Sequence, residues 1–203
     1  ADGNVPGIVP TSWHWDSNWA GPMWDAAIFI TPHLLYQYSG DTRAIETIYP
    51  AAKRYLEYLQ TREEANGTIN HGLGDWLFYK AQTPVDFMAT CFYYWDNVLM
   101  AQMARLTGRE PEAAPYEAKA EKLKVLINEL FFDPEKVCYS NGTQLSYALP
   151  LYVGIVPEQY EKRLAENLNC CIADNDYSLD FGFIGSLVVP AVLSDYGYAD
   201  AVY

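Results

Sequence analysis

The feature that most constrains the fold of this 203-residue chain is a repeated pattern of two unlike helices joined at a glycine. An apolar stretch ends at Ser39-Gly40-Asp41, and an amphipathic segment with Tyr49 follows. A second apolar stretch ends at Thr107-Gly108-Arg109-Glu110, and its amphipathic segment places Tyr116 67 residues after Tyr49. Asp195-Tyr196-Gly197 begins a third instance. Because each hairpin buries its apolar face only against its neighbours, the repeat predicts an inner and an outer ring of helices.

Hydrophobic periodicity predicts an all-α fold with about eight helices. The predicted helices cover residues 22–38, 41–61, 83–107, 111–132, 144–153, 158–172, 182–193 and a last segment from about 198. Apolar residues cover several faces of 22–38 and 83–107, which predicts that both helices are mostly buried. Pro32 is expected either to kink the first of them or to mark a first turn that begins later than residue 22. Since a closed toroid of six hairpins needs twelve helices, residues 1–203 are predicted to form one (α/α)₆ domain that is incomplete in this chain.

Two further local predictions concern the amphipathic segment 111–132 and the residues after it. The buried face of that segment is predicted to consist of Ala114, Ala118, Leu123, Leu126, Ile127 and Leu130. Residues 136–140 are the one stretch expected to pair briefly as a strand.

The charge balance restricts the partners of the chain. Thirteen basic and 26 acidic residues give a formal net charge of −13, which repels nucleic acid and anionic lipid. No stretch approaches the roughly 20 apolar residues of a membrane-spanning helix, and the start ADGNVPG lacks the cationic and apolar parts of a signal segment. The composition therefore predicts a soluble globular protein without a nucleic-acid partner or membrane insertion.

Cysteine and histidine usage argues against a metal or redox centre. Cys91, Cys138 and the pair Cys170-Cys171 show no metal-ligand spacing and are expected to be buried free thiols. With three histidines in the chain, a His-rich metal site is not expected, and no cofactor is predicted. The loop 174–180 contains three aspartates but lacks the glycine and final glutamate of an EF-hand, which favours a solvated acidic loop. So few cysteines suit a cytoplasmic or a periplasmic protein.

Two adjacent pairs of tryptophan and aspartate are the main candidates for a ligand site. Asp75 and Trp76 lie in the glycine-rich sequence GLGDWL, within a loop from 62 to 82 that is long for a mere connection. Trp24 and Asp25 begin the first apolar helix. An indole can stack on the apolar face of a sugar ring while the carboxylate accepts hydrogen bonds from its hydroxyls. The alternatives are an Asp25 favoured by the helix dipole and a Trp76 that covers the core.

Other aromatic and histidine residues are weaker candidates for the same site. Tyr93 and its neighbour Tyr94 lie in the most apolar helix, where core packing is the alternative role. His71 precedes GLGDWL and is a candidate for substrate binding. The aromatic run 13–19, which includes His14, either lines the site or forms an apolar plug. Gly182, with Phe181, is expected to allow a close backbone approach where a loop meets a helix.

In order and approximate spacing, these segments resemble the catalytic domain of bacterial α-L-rhamnosidases. The resemblance rests on WDAAIFITPHLLYQYSGD, GLGDWL, the apolar segment 83–107, Thr143-Gln144 and FGFIGS at 181–186, and it covers nearly the whole chain. It implies an (α/α)₆ toroid that hydrolyses terminal α-linked L-rhamnose with inversion. It also implies that Asp25 binds substrate hydroxyls. In that family the general acid precedes the segment that matches Trp24, and the general base follows the segment that matches Gly185. The resemblance therefore implies that this chain contains sugar-binding residues but neither catalytic block.

Two other functions fit the same residues. One is a different inverting (α/α)₆ glycosidase, although an enzyme acting on anionic uronides should have arginine-rich loops, and the loop around Asp75 contributes only Lys80. The other is a carbohydrate-binding segment without catalytic activity. In all three cases the expected partner is a carbohydrate.

Overall fold

The computed structural model describes residues 2–8 and 19–202 and consists mostly of α-helices. Over those ranges the elements are α1 (Pro22–Asp25), α2 (Ala27–Ser39), α3 (Arg43–Gln60), α4 (Val85–Leu106), α5 (Glu110–Phe131), β1 (Phe132–Asp133), β2 (Cys138–Tyr139), α6 (Gln144–Val153), α7 (Glu158–Ala173), α8 (Phe183–Asp195) and a 3₁₀ helix (Ala199–Val202). The predicted all-α fold with about eight helices is confirmed. The predicted pairing of residues 136–140 is also confirmed, because β2 pairs antiparallel with β1 at the end of α5.

Glycines in the left-handed conformation follow four alternate helices, α2, α4, α6 and α8. The φ angles are 71° at Gly40, 71° at Gly108, 78° at Gly154 and 83° at Gly197. A residue with a side chain rarely adopts this conformation, so glycine allows the chain to reverse directly after the last helical turn. The repeat that the sequence marks at Gly40, Gly108 and Gly197 is therefore present, and Gly154 adds an instance that the pattern did not mark.

The helices lie in two layers. Helix α4 packs against α2 on one side and α6 on the other, and α6 packs against α8, which gives an inner row of four. Helices α3, α5 and α7 pack outside this row. Fifteen of the 22 residues of α4 are buried, whereas α5, of equal length, buries Ala113, Ala120, Leu123 and Ile127. The alternation of inner and outer helices predicted from the sequence is confirmed.

The prediction of one mostly buried helix over 22–38 is wrong in two respects. The segment is divided at Ala26 into α1 and α2, while Pro32 lies inside α2. Leu34, Leu35 and Tyr38 are exposed, Tyr38 by 90%. The reason is position: α2 lies at the end of the inner row, where α3 and α4 pack against it from one side.

The predicted buried face of α5 is wrong in part. Leu123 and Ile127 are buried, but Ala114, Ala118 and Leu130 are exposed, and Leu126 is half-buried. Alanines lie on two faces of this helix, and only the face with Ala113 and Ala120 is buried. Because alanine side chains are small, they give a weak signal of which face is buried.

The free thiols are confirmed, but their burial only in part. All four cysteines are free; Cys91 and Cys138 are buried, Cys170 is exposed and Cys171 is half-buried. Within the described ranges, none of the helices has the length and apolarity needed to span a bilayer.

Candidate functional site

Hydrogen bonds join the N-terminal ends of the inner helices to the loop between α3 and α4. The hydroxyls of Thr83, before α4, and Thr143, before α6, are 2.7 Å apart. Trp24 of α1 donates its indole N–H to the carbonyl oxygen of Gly74 at 3.0 Å. We call this end of the molecule the rim, which consists of residues 19–25, 71–84, 141–144 and 180–185. The two tryptophan–aspartate pairs singled out in the sequence both lie there.

Three aromatic rings form a continuous surface at the rim. The ring centroids of Trp76 and Phe183 are 5.5 Å apart, and the two planes are inclined by 16°. The ring centroid of Trp24 lies 6.3 Å from that of Phe183, and these two planes are inclined by 51°. Trp76 is 48% exposed and Phe183 53% exposed, so their faces are accessible. We call Trp24, Trp76 and Phe183 the aromatic platform, to which the sequence-based candidates contributed the two tryptophans but not Phe183.

The carboxylate of Asp75 holds the first turn of α8. Its Oδ2 accepts from the N–H of Gly182 at 2.6 Å, and its Oδ1 accepts from Ile184 at 2.8 Å and Gly185 at 3.2 Å. Burial raises the pKa of Asp75, and these three backbone N–H groups oppose that effect. Since the side chain is 2% exposed, its oxygens face the protein backbone and not the surface of the rim. This geometry is that of a helix N-cap supplied from a distant loop.

The close backbone approach expected at Gly182 is confirmed. A Cβ atom at this position would lie 2.2 Å from the carbonyl oxygen of Trp76 and 2.7 Å from that of Asp75. The next residue, Phe183, donates its backbone N–H to the same Trp76 oxygen at 3.0 Å. The absence of a side chain at Gly182 therefore allows the GLGDWL loop to lie directly on α8.

Asp25 has a different environment from Asp75. It is 5% exposed, and the Oη–H of Tyr55 donates to its Oδ2 at 3.0 Å. Burial raises the pKa of Asp25 to about 7, although the hydrogen bond from Tyr55 opposes the shift. The residue lines a largely apolar cavity of about 380 Å³ with Val5, Pro6, Gly7, Trp24, Ala27, Ile28 and Ile48. Near neutral pH this carboxyl group can therefore accept or hold a proton next to the aromatic platform.

A functional candidate that the sequence reasoning missed is Asp96, in the middle of α4. The residue is fully buried, and neither of its carboxylate oxygens has a hydrogen-bond partner in residues 2–8 and 19–202. The Coulomb field of Asp25 reaches it and, after burial, is the second cause that raises its pKa. Trp95-Asp96 is the same dipeptide as Trp24-Asp25, and this repetition was the signal that could have identified it.

The weaker candidates do not join the platform directly. Tyr93 is fully buried and donates to Glu63 at 2.8 Å, while Lys119 lies over its ring at 5.3 Å. Tyr94 is also buried in α4. His71 lies on the rim, half-buried, with a pKa that burial and then Arg62 lower. Its backbone packs against Gly21.

The remaining candidates lie on an acidic loop and in the N-terminal segment. Asp174 and Asp176 are exposed, as the solvated-loop prediction requires, but Asp180 is buried and accepts from the N–H groups of Lys80 and Ala81 at 2.7 and 3.2 Å. In the part of the chain that the structure describes, no three acidic, histidine or cysteine residues form a group that could hold a metal ion. Trp13, His14, Trp15 and Asp16 lie outside the described residues.

Comparison with known proteins gives a consistent result over the whole length. Residues 1–203 match the model of the bacterial α-L-rhamnosidase six-hairpin glycosidase domain. An α-L-rhamnosidase of Streptomyces avermitilis is 29% identical over all of this chain, and one of Alteromonas sp. is 28% identical. The chain spans 19% and 23% of the length of these two relatives, that is, about a fifth.

Solved structures agree with this fold. The crystal structure of the Streptomyces avermitilis α-L-rhamnosidase complexed with L-rhamnose superimposes on the whole chain with a TM-score of 0.91 at 28% identity. The native α-L-rhamnosidase of Aspergillus terreus gives a TM-score of 0.90 at 25% identity. This chain covers 19% and 24% of those two chains, so its hairpins correspond to one part of a larger toroid.

Proposed function

Because this chain belongs to the bacterial α-L-rhamnosidase six-hairpin glycosidase domain family, we propose that its rim forms part of a site for terminal α-linked L-rhamnose. In the complete enzyme this sugar is released by hydrolysis with inversion. Such a reaction needs a general acid and a general base roughly 6.5 to 9.5 Å apart, with a water molecule between base and sugar. The contribution of this chain is to bind and orient the sugar, and the catalytic pair lies in other segments.

The observation that carries this proposal is the aromatic platform next to Asp25 on one rim. L-Rhamnose has a methyl group where most hexoses have a hydroxymethyl group, which enlarges the apolar part of its surface. The exposed faces of Trp76 and Phe183 provide an apolar counterpart, and such stacking buries area at a low cost in conformational entropy. The net charge of −13 suits an uncharged sugar better than an anionic one.

The rim residues divide into those that contact the sugar and those that hold the contacting residues in place. Trp76 and the exposed part of Phe183 contact the sugar, and Trp24 packs against Phe183. Asp25 accepts a hydrogen bond from a sugar hydroxyl. Asp75 fixes the position of Trp76 relative to Phe183, because its three hydrogen bonds hold the loop onto α8.

The test is hydrolysis of a panel of 4-nitrophenyl glycosides by the full-length gene product. We expect release of nitrophenol from the α-L-rhamnoside and at least a hundredfold less from the β-D-glucoside and β-D-glucuronide. Proton NMR of the first sugar formed should show β-L-rhamnose, as inversion requires. Preferred cleavage of a glucoside or an uronide would contradict the proposal and favour a different six-hairpin glycosidase.

A second function, carbohydrate binding without hydrolysis, is favoured by the platform itself, since stacking requires no acid or base. Calorimetric titration with L-rhamnose separates the two functions. Binding of L-rhamnose together with no turnover of any aryl glycoside would favour the non-catalytic function. Turnover of the α-L-rhamnoside would exclude it.

A further inference from the structure

Asp96 is a buried carboxylate that no group among the described residues neutralises. Its side chain has no solvent exposure, and neither oxygen accepts a hydrogen bond within the described residues. An ionised carboxylate without a partner is among the most unfavourable groups to bury, and it normally takes up a proton instead. The geometry alone therefore favours a neutral carboxylic acid in the middle of α4.

The groups around Asp96 favour the same state. Asp25 faces it from α1 and Tyr55 from α3, and Tyr93 lies one turn away on α4 itself. None of these three carries a positive charge. Burial, and then the negative charge of Asp25, raise the pKa of Asp96 well above its usual range.

The cation of the neighbouring helix α5 that lies over the ring of Tyr93 is paired with another residue. Lys119 pairs with Glu63 at 2.7 Å, and Glu63 also accepts the hydrogen bond of Tyr93 at 2.8 Å. The loop that carries Glu63 thus brings a neutralised pair to this side of Tyr93. It supplies no charge that would stabilise an ionised Asp96.

We propose that Asp96 is a positioning residue that keeps a proton in the interior of the helical domain. As a result, the negative charge of the cluster of Asp25, Tyr55 and Asp96 resides on Asp25 at the rim. Two carboxyl groups in one buried cluster do not both ionise readily. Asp25 takes the charge because Tyr55 donates to it and because it is 5% exposed, whereas Asp96 has neither advantage. The charge is then available to accept a hydrogen bond from a ligand hydroxyl. This last step rests on the proposed function, but the protonation of Asp96 does not.

The first test is infrared spectroscopy of the full-length wild-type protein at about pH 8.5, where a group with a pKa of about 7 is largely ionised. We expect the carbonyl stretch of a protonated, buried carboxylic acid to persist at this pH. The Asp96→Asn variant should lack this band, and the Asp25→Asn variant should keep it. Absence of the band in the wild type would overturn the proposal without the need for any variant.

The second test is urea unfolding of the wild type and Asp96→Asn as a function of pH. A group whose pKa is higher in the folded than in the unfolded state contributes to stability. This contribution is complete when the pH is below the unfolded-state pKa, and it is lost as the pH rises towards the folded-state pKa. Asparagine has no proton to lose, so the stability of the variant does not depend on this site. Above about pH 4, the folding equilibrium constant of the variant relative to that of the wild type should rise by up to about tenfold per pH unit. Asp174→Asn, at an exposed position, is the control and should follow the wild type.

The third test is the affinity for L-rhamnose. Asp96→Asn should bind within about twofold of the wild type between roughly pH 6 and 8, whereas Asp25→Asn should bind about tenfold more weakly at about pH 8, where Asp25 of the wild type is ionised. A folded Asp96→Asn protein that loses more than tenfold in affinity would overturn the proposal, because it would require an ionised Asp96. If the wild type binds no L-rhamnose, the proposed function fails, while the infrared and unfolding tests still decide the state of Asp96.

Discussion

Asp25 and Asp75 each adjoin a tryptophan at the same rim, yet their surroundings differ greatly. Among the described residues, Asp75 accepts three backbone hydrogen bonds from the start of α8, while Asp25 accepts one, from Tyr55. Both are at most 5% exposed, so burial alone does not distinguish them. The difference lies in the number of donors: a carboxylate with three fixed donors is a structural element, and one with a single donor keeps capacity for a ligand or a proton.

The largest expected effect on stability comes from removing the structural carboxylate. Asp75→Ala leaves three N–H groups of α8 without an acceptor and should lower the free energy of unfolding by roughly 3 to 5 kcal/mol. Urea denaturation measures the loss, and Asp174→Ala at an exposed position should change stability by less than about 0.5 kcal/mol. If Asp75→Ala unfolds at the same urea concentration as the wild type but no longer binds L-rhamnose, Asp75 contacts the sugar, as the sequence indicated. Asp75 and Asp25 would then not differ in role.

The next effect concerns the pH dependence that Asp25 gives to stability. Its pKa is raised to about 7, so the stability it contributes is fully present below its unfolded pKa of about 4 and is lost as the pH rises to about 7. Asp25→Asn should therefore become more stable relative to the wild type by roughly 2 to 4 kcal/mol between pH 4 and pH 8.

Thermal unfolding of the two proteins at a series of pH values measures this difference. The same series on Asp174→Asn should parallel the wild type, since that carboxylate is exposed. If the unfolding temperatures of Asp25→Asn and the wild type change with pH in parallel, Asp25 is ionised over the whole pH range. Its carboxylate would then be stabilised by more than the one hydrogen bond from Tyr55.

The helices were predictable because their signals are local. Gly40 and Gly108 end apolar stretches directly, and the bounds of most helices lie within two residues of those predicted. What the sequence does not show is where a helix stands in the row: α2 has an apolar composition, but its outer face has no neighbour among the described elements. Hydrophobic periodicity indicates which residues can be buried, but actual burial depends on which neighbouring helices pack against them.

The site was only half predictable, for a related reason. The Trp-Asp pairs marked the right end of the molecule, but the partners that fix their roles are remote in sequence. The Asp75 carboxylate meets Gly182 across 107 residues, and Asp25 meets Tyr55 across 30. Asp96 has no hydrogen-bond partner in the part of the chain that the structure describes, and a carboxylate of this kind can be recognised only when its burial is known.

The aromatic platform gives a smaller effect, on binding and not on folding. Trp76→Ala should weaken L-rhamnose binding roughly three- to tenfold and change stability little, because the indole is 48% exposed. Isothermal titration of the full-length protein measures the affinity. The matched control is Tyr79→Ala, an aromatic in the same loop that is 72% exposed and lies outside the platform. Equal losses for both variants would indicate a general effect of the loop and not stacking on Trp76.

The smallest expected effect on stability tests the one donor that Asp25 has among the described residues. Tyr55→Phe removes the hydroxyl that donates to Asp25 at 3.0 Å, and at pH 8 it should cost about 1 to 2 kcal/mol, since the acceptor is then ionised. The cost should shrink at pH 5, because Asp25 then carries a proton and its oxygens are weaker acceptors. Without this donor the pKa of Asp25 should rise further. Tyr152→Phe removes a hydroxyl from α6, away from Asp25, and should show no such dependence on pH. A loss for Tyr55→Phe that is equal at both pH values would place the role of Tyr55 in packing and leave Asp25 with no specific donor.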